Sequence, residues 1–313
     1  MIEVNGLTKR YGEKFAIKDV GFKIGEGEIV GLLGPNGAGK STTMNIMTGY
    51  LSATSGTVTV NGFDIREKPI EAKMNIGYLP ELPPLYPDMT VKAYLDFIFD
   101  LKQVKANREE HISKICKLVK IEAVYPRLIK NLSKGFRQRV GIAQALIGTP
   151  PILILDEPTV GLDPKQIVDI RDLIANLGRR HTILVSSHIL HEIQAVCNRI
   201  IIINQGEIVA DGKRDDIIRK ATEDARFTVR VIGPRDEVAK TLVRIGGVDK
   251  IVDDGVRESG SNDFIVIPKA KTDVRREVFE RLAERKWPIV SMVGSQLTLE
   301  DVFLRLTETD ETE

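Results

Sequence analysis

The chain is poor in cysteine, balanced in charge and free of long apolar runs. Its two cysteines, Cys116 and Cys197, cannot form a disulfide framework. That excludes a stapled secreted scaffold and suits two packed thiols in a reducing compartment. Lysine and arginine number 45 against 44 acidic residues, so there is no overall basic footprint of the kind that nucleic acid attracts. No stretch reaches the ~18 consecutive apolar residues that read as a membrane span. The opening MIEVNGLTKRYGEK carries no apolar core and is not expected to act as a secretory signal. No segment repeats. Present instead are 42% apolar and 28% charged residues over 313 positions, enough for a core, a solvated surface and about two domains.

Through the first two-thirds, apolar runs alternate with amphipathic stretches, the pattern of an α/β domain. Candidate strands are EIVGLL (28–33), TVTVNG (57–62), ILILD (152–156), TILVSS (182–187) and RIIIIN (199–204). The β-branched runs among them suit strands buried on both faces of a sheet. PELPPLYPDMT (80–90) contains four prolines and is expected to be an extended loop. VKAYLDFIFDLKQV and REEHISKICKLVK follow with helical spacing, which places a helical insertion at about 88–150. Near 220 the pattern changes. FTVRVIG, a helix at 235–245, GGVDKIVDD, DFIVIP, a helix at 273–286 and PIVSMV spell β-α-β-β-α-β, which suggests a small ferredoxin-like α+β unit. The expected division is 1–220 and 221–313. With 15 basic and 17 acidic side chains over 226–313, the second part has no nucleic-acid stripe. The closing TETDETE is acidic and is expected to fray.

The candidate strand at 28–33 runs into GPNGAGKST (34–42), which matches G-x-x-x-x-G-K-[ST] through Gly34, Gly39, Lys40 and Ser41. Small residues, here Gly34, Gly37, Ala38 and Gly39, let backbone N–H groups close around a polyphosphate. Asn36 and Thr42 complete the loop and the first helical turn, whose dipole adds positive potential. Lys40 would neutralise phosphate charge, and Ser41 would set a hydroxyl on Mg²⁺. ILILD-E ends an apolar strand on Asp156 and Glu157, at the sheet edge where ligands of parallel α/β folds bind. Asp156 would hold the Mg²⁺ hydration shell and Glu157 would polarise an attacking water. A carboxylate pair at a strand end is otherwise often only a helix cap.

With these in place, further motifs resemble, in the family's order, the ATP-binding subunit of an ABC transporter, over roughly residues 1–220. Tyr11 in KRYGEKFAI matches the aromatic position that stacks on adenine. LSKGFRQRV (132–140) resembles the family signature, SSH (186–188) the histidine switch, and GLDP (161–164) the loop that links the two sites of a dimer. The resemblance implies ATP and Mg²⁺ as cofactors, His188 reaching the γ-phosphate, and Asp163 in the linking loop. It also implies a second ATP-binding subunit, whose nucleotide would meet Ser133 and Gly135 across a head-to-tail interface. Lys134 and Phe136 depart from the usual LSGGQ, and Glu81 in IGYLPE stands where the family usually has glutamine near Mg²⁺. Glu81 is therefore either a metal neighbour or a plain loop residue. His111, His181 and His191 have no motif context and are expected at surfaces or caps.

The expected protein is a P-loop NTPase of ABC type with a helical insertion and a small C-terminal domain. It would act as a cytoplasmic ATPase, peripheral on the inner face of the membrane through a separate permease. LTLEDVFLRLT (297–307) behind an accessory domain resembles subunits of ABC-2-type exporters. An importer ATPase with a C-terminal ligand-sensing domain is the nearest alternative. A soluble ABC ATPase on ribosomes or nucleic acid is another, although no nucleic-acid partner is expected. The tail would be regulatory or would stabilise the dimer.

Overall fold

Glycines and capping residues, rather than long periodic runs, set most element boundaries in the first two-thirds of the chain. The computed structural model describes residues 1–221, 226–256, 258, 260–269, 272–294 and 298–307. Along the chain it forms β1 (Ile2–Tyr11), β2 (Lys14–Ile24), β3 (Ile29–Leu33), α1 (Lys40–Met47), β4 (Ser55–Val60), β5 (Phe63–Asp64), α2 (Pro69–Met74) and β6 (Ile76–Leu79). Then come α3 (Val91–Leu101), α4 (Arg108–Val119), α5 (Lys134–Leu146), β7 (Ile152–Leu155), α6 (Pro164–Leu177), β8 (Thr182–Ser187), α7 (Leu190–Val196), β9 (Arg199–Asn204), β10 (Glu207–Gly212) and α8 (Arg214–Ala221). The chain packs as two units, Met1–Arg214 with the residues from Leu306 onward, and Asp215–Arg305.

The first unit holds two sheets. One is antiparallel, in the order β2-β1-β4-β5. The other runs β10-β9-β3-β8-β7-β6, parallel except for the edge strand β10. Met44 and Met47 of α1 lie in a core shared with Val4 and Ile24 of the first sheet and Leu32, Ile154 and Ile201 of the second. The parallel strands are buried on both faces, β7 and β8 completely, as their unbroken apolar sequences imply.

Two expectations change here. The candidate strand at 57–62 is β4, shifted to Ser55–Val60 and paired antiparallel with β1 rather than placed in the parallel sheet. β1 and β2 were not among the candidate strands, because their alternation is interrupted. Gly6 and Asp19 both take left-handed φ, +58° and +50°, where the β1–β2 register shifts. The proline-rich segment at 80–90 is free of helix and strand. Thr90 then caps α3 by accepting from Ala93 N, and Asn107 caps α4 by accepting from Glu110 N. With α5, these helices form the insertion.

The second unit contains β11 (Phe227–Val231), α9 (Arg235–Val243), β12 (Val248–Gly255), β13 (Asn262–Pro268), α10 (Arg275–Glu284) and β14 (Ile289–Gly294), and α11 (Leu299–Thr307) begins within it. Its sheet is antiparallel throughout, in the order β12-β13-β11-β14. Phe227, Val229, Phe264 and Val266 alternate inward to meet Val238 and Leu242 of α9 and Val278 and Leu282 of α10. The acidic end beyond residue 307 and Leu297 lie outside the described residues.

Candidate functional site

Sheet order brings the motifs together. β8 lies between β3 and β7, with Leu33 opposite Ser187 and Leu155 opposite Val185. The parallel strands end side by side, so Ser186–His188 emerges between the loop after β3 and the Asp156–Glu157 turn after β7.

The glycines of the loop are fixed by close approach. A Cβ on Gly34 would sit 2.3 Å from the Ile203 carbonyl oxygen. One on Gly39 would meet Ile17 Cγ2 at 2.7 Å and the Ala16 carbonyl oxygen at 2.9 Å. Gly39 also starts α1 from a left-handed φ of +109°, which an L side chain avoids. Lys40 is buried beneath the loop. Its Nζ donates to Gly34 O at 2.8 Å and Pro35 O at 3.2 Å, and lies 3.4 Å from Glu157 Oε1.

Glu157 and Lys40 are both nearly sealed from solvent, with side chains 7% and 6% exposed. Buried charges at such positions need partners, and Glu157 has two. Lys40 faces Oε1, and His188 Nδ1 stands 3.0 Å from Oε2. Glu157 itself has a left-handed φ of +46°, unusual away from glycine and worth about 1–3 kcal/mol of strain. Ser186 holds that turn. Its hydroxyl donates to Asp156 Oδ1 at 2.6 Å and accepts from Glu157 N at 2.8 Å. Asp156 N donates to Leu79 O at 2.8 Å, which ties the turn to the end of β6.

Above these groups opens a cleft of about 380 Å³, lined by Ser41, Thr42, Asn36 and Gly37 as well as Lys40, Glu157 and His188. Glu81 lines it too, so the structure brings that residue to the site. A second groove of about 680 Å³ shares Ser41 and Glu81 and reaches Asp156, Tyr78 and Lys102. Lys102 is held at its floor, where Nζ donates to the carbonyls of Ile147 at 2.8 Å and Gln144 at 3.1 Å. Burial lowers its pKa to about 8.

Other motif residues stand apart from the cleft. Tyr11 ends β1, is 54% exposed, and has Lys9 Nζ 5.2 Å from its ring centre. It does not line the cleft, whereas Ala16 of the same hairpin does. Ser133 caps α5 and accepts from Phe136 N at 3.4 Å. Asp163 caps α6 and accepts from Gln166 N at 2.9 Å. These two caps are interlocked. A Cβ on Gly135 would strike the Gln166 side chain, and one on Gly161 would strike Lys134 Nζ.

The histidines without motif context are not all superficial. His181 is buried, and its Nδ1 lies 2.7 Å from Pro150 O, so it is a structural donor rather than a surface group. His111 accepts from Gly148 N and packs on Phe99. Burial and the cations Lys102 and Lys114 hold its pKa down. His191 is exposed. Ser186 belongs to the SSH motif but its tie to Asp156, and the roles of Thr159 and Glu192, are not visible in the sequence, because their partners lie 30 to 33 residues away. The spacing of Glu192, four residues after His188, was the only signal available.

A glycine loop between a buried strand and a helix, facing an acidic strand end across a parallel sheet, defines a P-loop NTPase. The chain belongs to the ABC transporter family, as one of its ATP-binding, ATP-hydrolysing subunits. A family model described as ABC transporter matches residues 17–160. The linearmycin resistance ATP-binding protein LnrL of Bacillus subtilis (strain 168) is 32% identical, with 98% of each chain covered. The Nod factor export ATP-binding protein I of Paraburkholderia xenovorans (strain LB400) is 31% identical, over 98% of this chain and 96% of its own. Among solved structures, an ATP-binding subunit of an ABC transporter superposes with a TM-score of 0.65 at 30% identity, covering 71% of this chain and 93% of that one. The cassette MJ0796, solved as a dimer in a post-hydrolysis state with ADP and Pi, gives 0.62 at 29% identity over 68% and 98%. As such an ATP-binding subunit it energises a separate permease, and no helix among the described residues is long and apolar enough to cross a membrane.

Proposed function

We propose that ATP hydrolysis at this cleft is driven by Glu157 as general base and powers export through that permease. The observation that carries the reading is the buried Glu157 carboxylate, shared between Lys40 and His188 at the mouth of the 34–42 loop. A carboxylate fixed from both sides, itself nearly sealed from solvent at the base of the cleft, is placed to take a proton from a water held there. Lys40 and the loop N–H groups hold phosphate, and His188 senses the terminal one. Ser41 and Asp156, which line one groove, offer the hydroxyl and carboxylate oxygens that suit a hydrated Mg²⁺. The ion, when bound, supplies charge neutralisation at the phosphates.

The nucleotide of a second subunit faces Ser133 and Gly135, Asp163 lies in the loop that links the two sites, and Tyr11 stacks on adenine. The exposure of Ser133, Asp163 and Tyr11 outside the cleft supports these roles, whereas Gly135 is buried against the Gln166 side chain. The groove behind Glu81, with the proline-rich segment on its wall, carries nucleotide state to the permease at the cytoplasmic face. Export is favoured because LnrL and the Nod factor protein match over 98% of this chain, second unit included. The β-α-β-β-α-β order and the antiparallel β12-β13-β11-β14 sheet support a ferredoxin-like domain, regulatory or dimer-stabilising. Balanced charge supports the absence of a nucleic-acid partner.

Glu157→Gln tests the site. Turnover should fall by about 10²–10⁴-fold with ATP binding intact, and full turnover would overturn the assignment. Capture of a polytopic partner from native membranes tests the coupling. Recovery of ribosomal or DNA-associated proteins alone would overturn it.

A further inference from the structure

A carboxylate outside the cleft ties together the two segments that carry the catalytic pair. Glu192 lies in the first turn of α7, is 9% exposed, and does not line the cleft. Its Oε2 accepts from two hydroxyls, Thr159 Oγ1 at 2.5 Å and Ser187 Oγ at 3.1 Å. Thr159 stands two residues after Glu157, and Ser187 one residue before His188. Ser187 Oγ also accepts from Ile189 N at 3.0 Å, which fixes the backbone on the far side of His188. The consecutive serines therefore fasten this segment in opposite directions. Ser186 holds it to Asp156 and Glu157, and Ser187 holds it to Glu192.

We propose that Glu192 is a positioning residue for hydrolysis. Its carboxylate clamps the turn after Glu157 to the segment before His188 and so keeps His188 Nδ1 3.0 Å from Glu157 Oε2. The inference rests on the reading of Glu157 as the base. Truncation of Glu192 would leave two buried hydroxyls without their acceptor and let the segments part. A void of about 10 Å³ bordered by Thr159, Ser187 and Glu192 already lies there, and truncation would enlarge it enough to admit water. Thr159, Ser187 and Glu192 need not touch nucleotide, so the loss should fall on turnover rather than on binding.

Steady-state ATP hydrolysis by the full chain tests this. Glu192→Ala should lower kcat about tenfold or more while KM for ATP moves less than about twofold. Glu192→Gln keeps an acceptor oxygen and should recover kcat to within about threefold of the parent. In a His188→Ala background, Glu192→Ala should add little, because both changes remove the same constraint. Parent-like kcat in Glu192→Ala, or losses that multiply with those of His188→Ala, would overturn the proposal. If Glu192→Ala does not fold, Ser187→Ala removes one arm of the clamp and is read in the same way, with reduced kcat expected and parent-like kcat overturning. Glu157→Gln in the same assay separates the two claims. If it is fully active the base assignment fails, whereas an inactive Glu157→Gln beside a fully active Glu192→Ala defeats only the clamp.

Discussion

In the first unit, Lys40, Asp156, Glu157 and Glu192 are all buried, whereas among the described residues of Asp215–Arg305 the one buried charged side chain is Asp263. The two sheets explain the contrast. The parallel strands β3, β7 and β8 end at one edge, so three separate segments deliver polar groups to a common place and neutralise one another there. In the antiparallel sheet successive strands end at opposite edges, and no such convergence arises. Asp263 is instead matched in place by the Arg230 guanidinium, with Nε and Nη2 on its two oxygens at 2.8 and 2.9 Å. Buried charge thus gathers at one sheet edge in the first unit, where Arg139, held by Val119 O and Asp169, is the exception that only braces the helices, and serves local pairing in the second.

The strongest test of this contrast lies in the second core. Phe264 of β13 is fully buried in the core that the sheet shares with α9 and α10, and Phe264→Ala should cost about 3–5 kcal/mol. Calorimetry should show the unfolding transition of Asp215–Arg305 moving down while ATP still raises the stability of the other unit. One transition that shifts as a whole would show a single cooperative body. Next is Gly34→Ala, whose methyl must displace the Ile203 carbonyl. Overpacking there should cost about 1–3 kcal/mol and should abolish the rise in melting temperature that ATP produces. A preserved ATP response would show that the loop tolerates the methyl. Asp263→Ala should fall below both, yet lower the melting temperature more than Asp88→Ala, which breaks only the exposed Lys130–Asp88 pair at 2.8 Å. Equal effects would remove the distinction drawn for Asp263.

What could be read in advance follows from how local each signal is. Gly34 to Thr42 form one continuous segment whose spacing states its use, and the alternation of FTVRV, buried at Phe227, Val229 and Val231, is a strand on its face. All six elements from β11 to β14 were legible, with helix ends differing by up to two residues from the expected 235–245 and 273–286. β1 and β2 were not legible, because left-handed residues at Gly6 and Asp19 break their period. Glu192, His181 and the fit of Lys134 over Gly161 were hidden for a different reason. Each depends on a partner distant in sequence, and only the folded sheet order brings those partners together.

The smallest expected effect concerns Cys197, which separates burial from function inside the first unit. Burial pushes its thiol up to about 12 from the ordinary 9.0. Between those values the unfolded chain releases the proton and the folded chain keeps it, so the folded state binds more protons and stability falls as pH rises. The slope from this one group is at most about 1.4 kcal/mol per pH unit. Cys116, raised by burial to about 11, acts in the same sense, while Lys102, lowered to about 8, acts in the opposite sense because its unfolded form holds the extra proton. Cys197→Ala should therefore flatten the alkaline loss of stability between about pH 9 and 10 by roughly 1 kcal/mol, as read by urea unfolding at each pH. Turnover at neutral pH should stay at the parent level, because Cys197 does not line the cleft. An unchanged alkaline slope would mean that water reaches the partly exposed thiol and that its burial does not hold the proton.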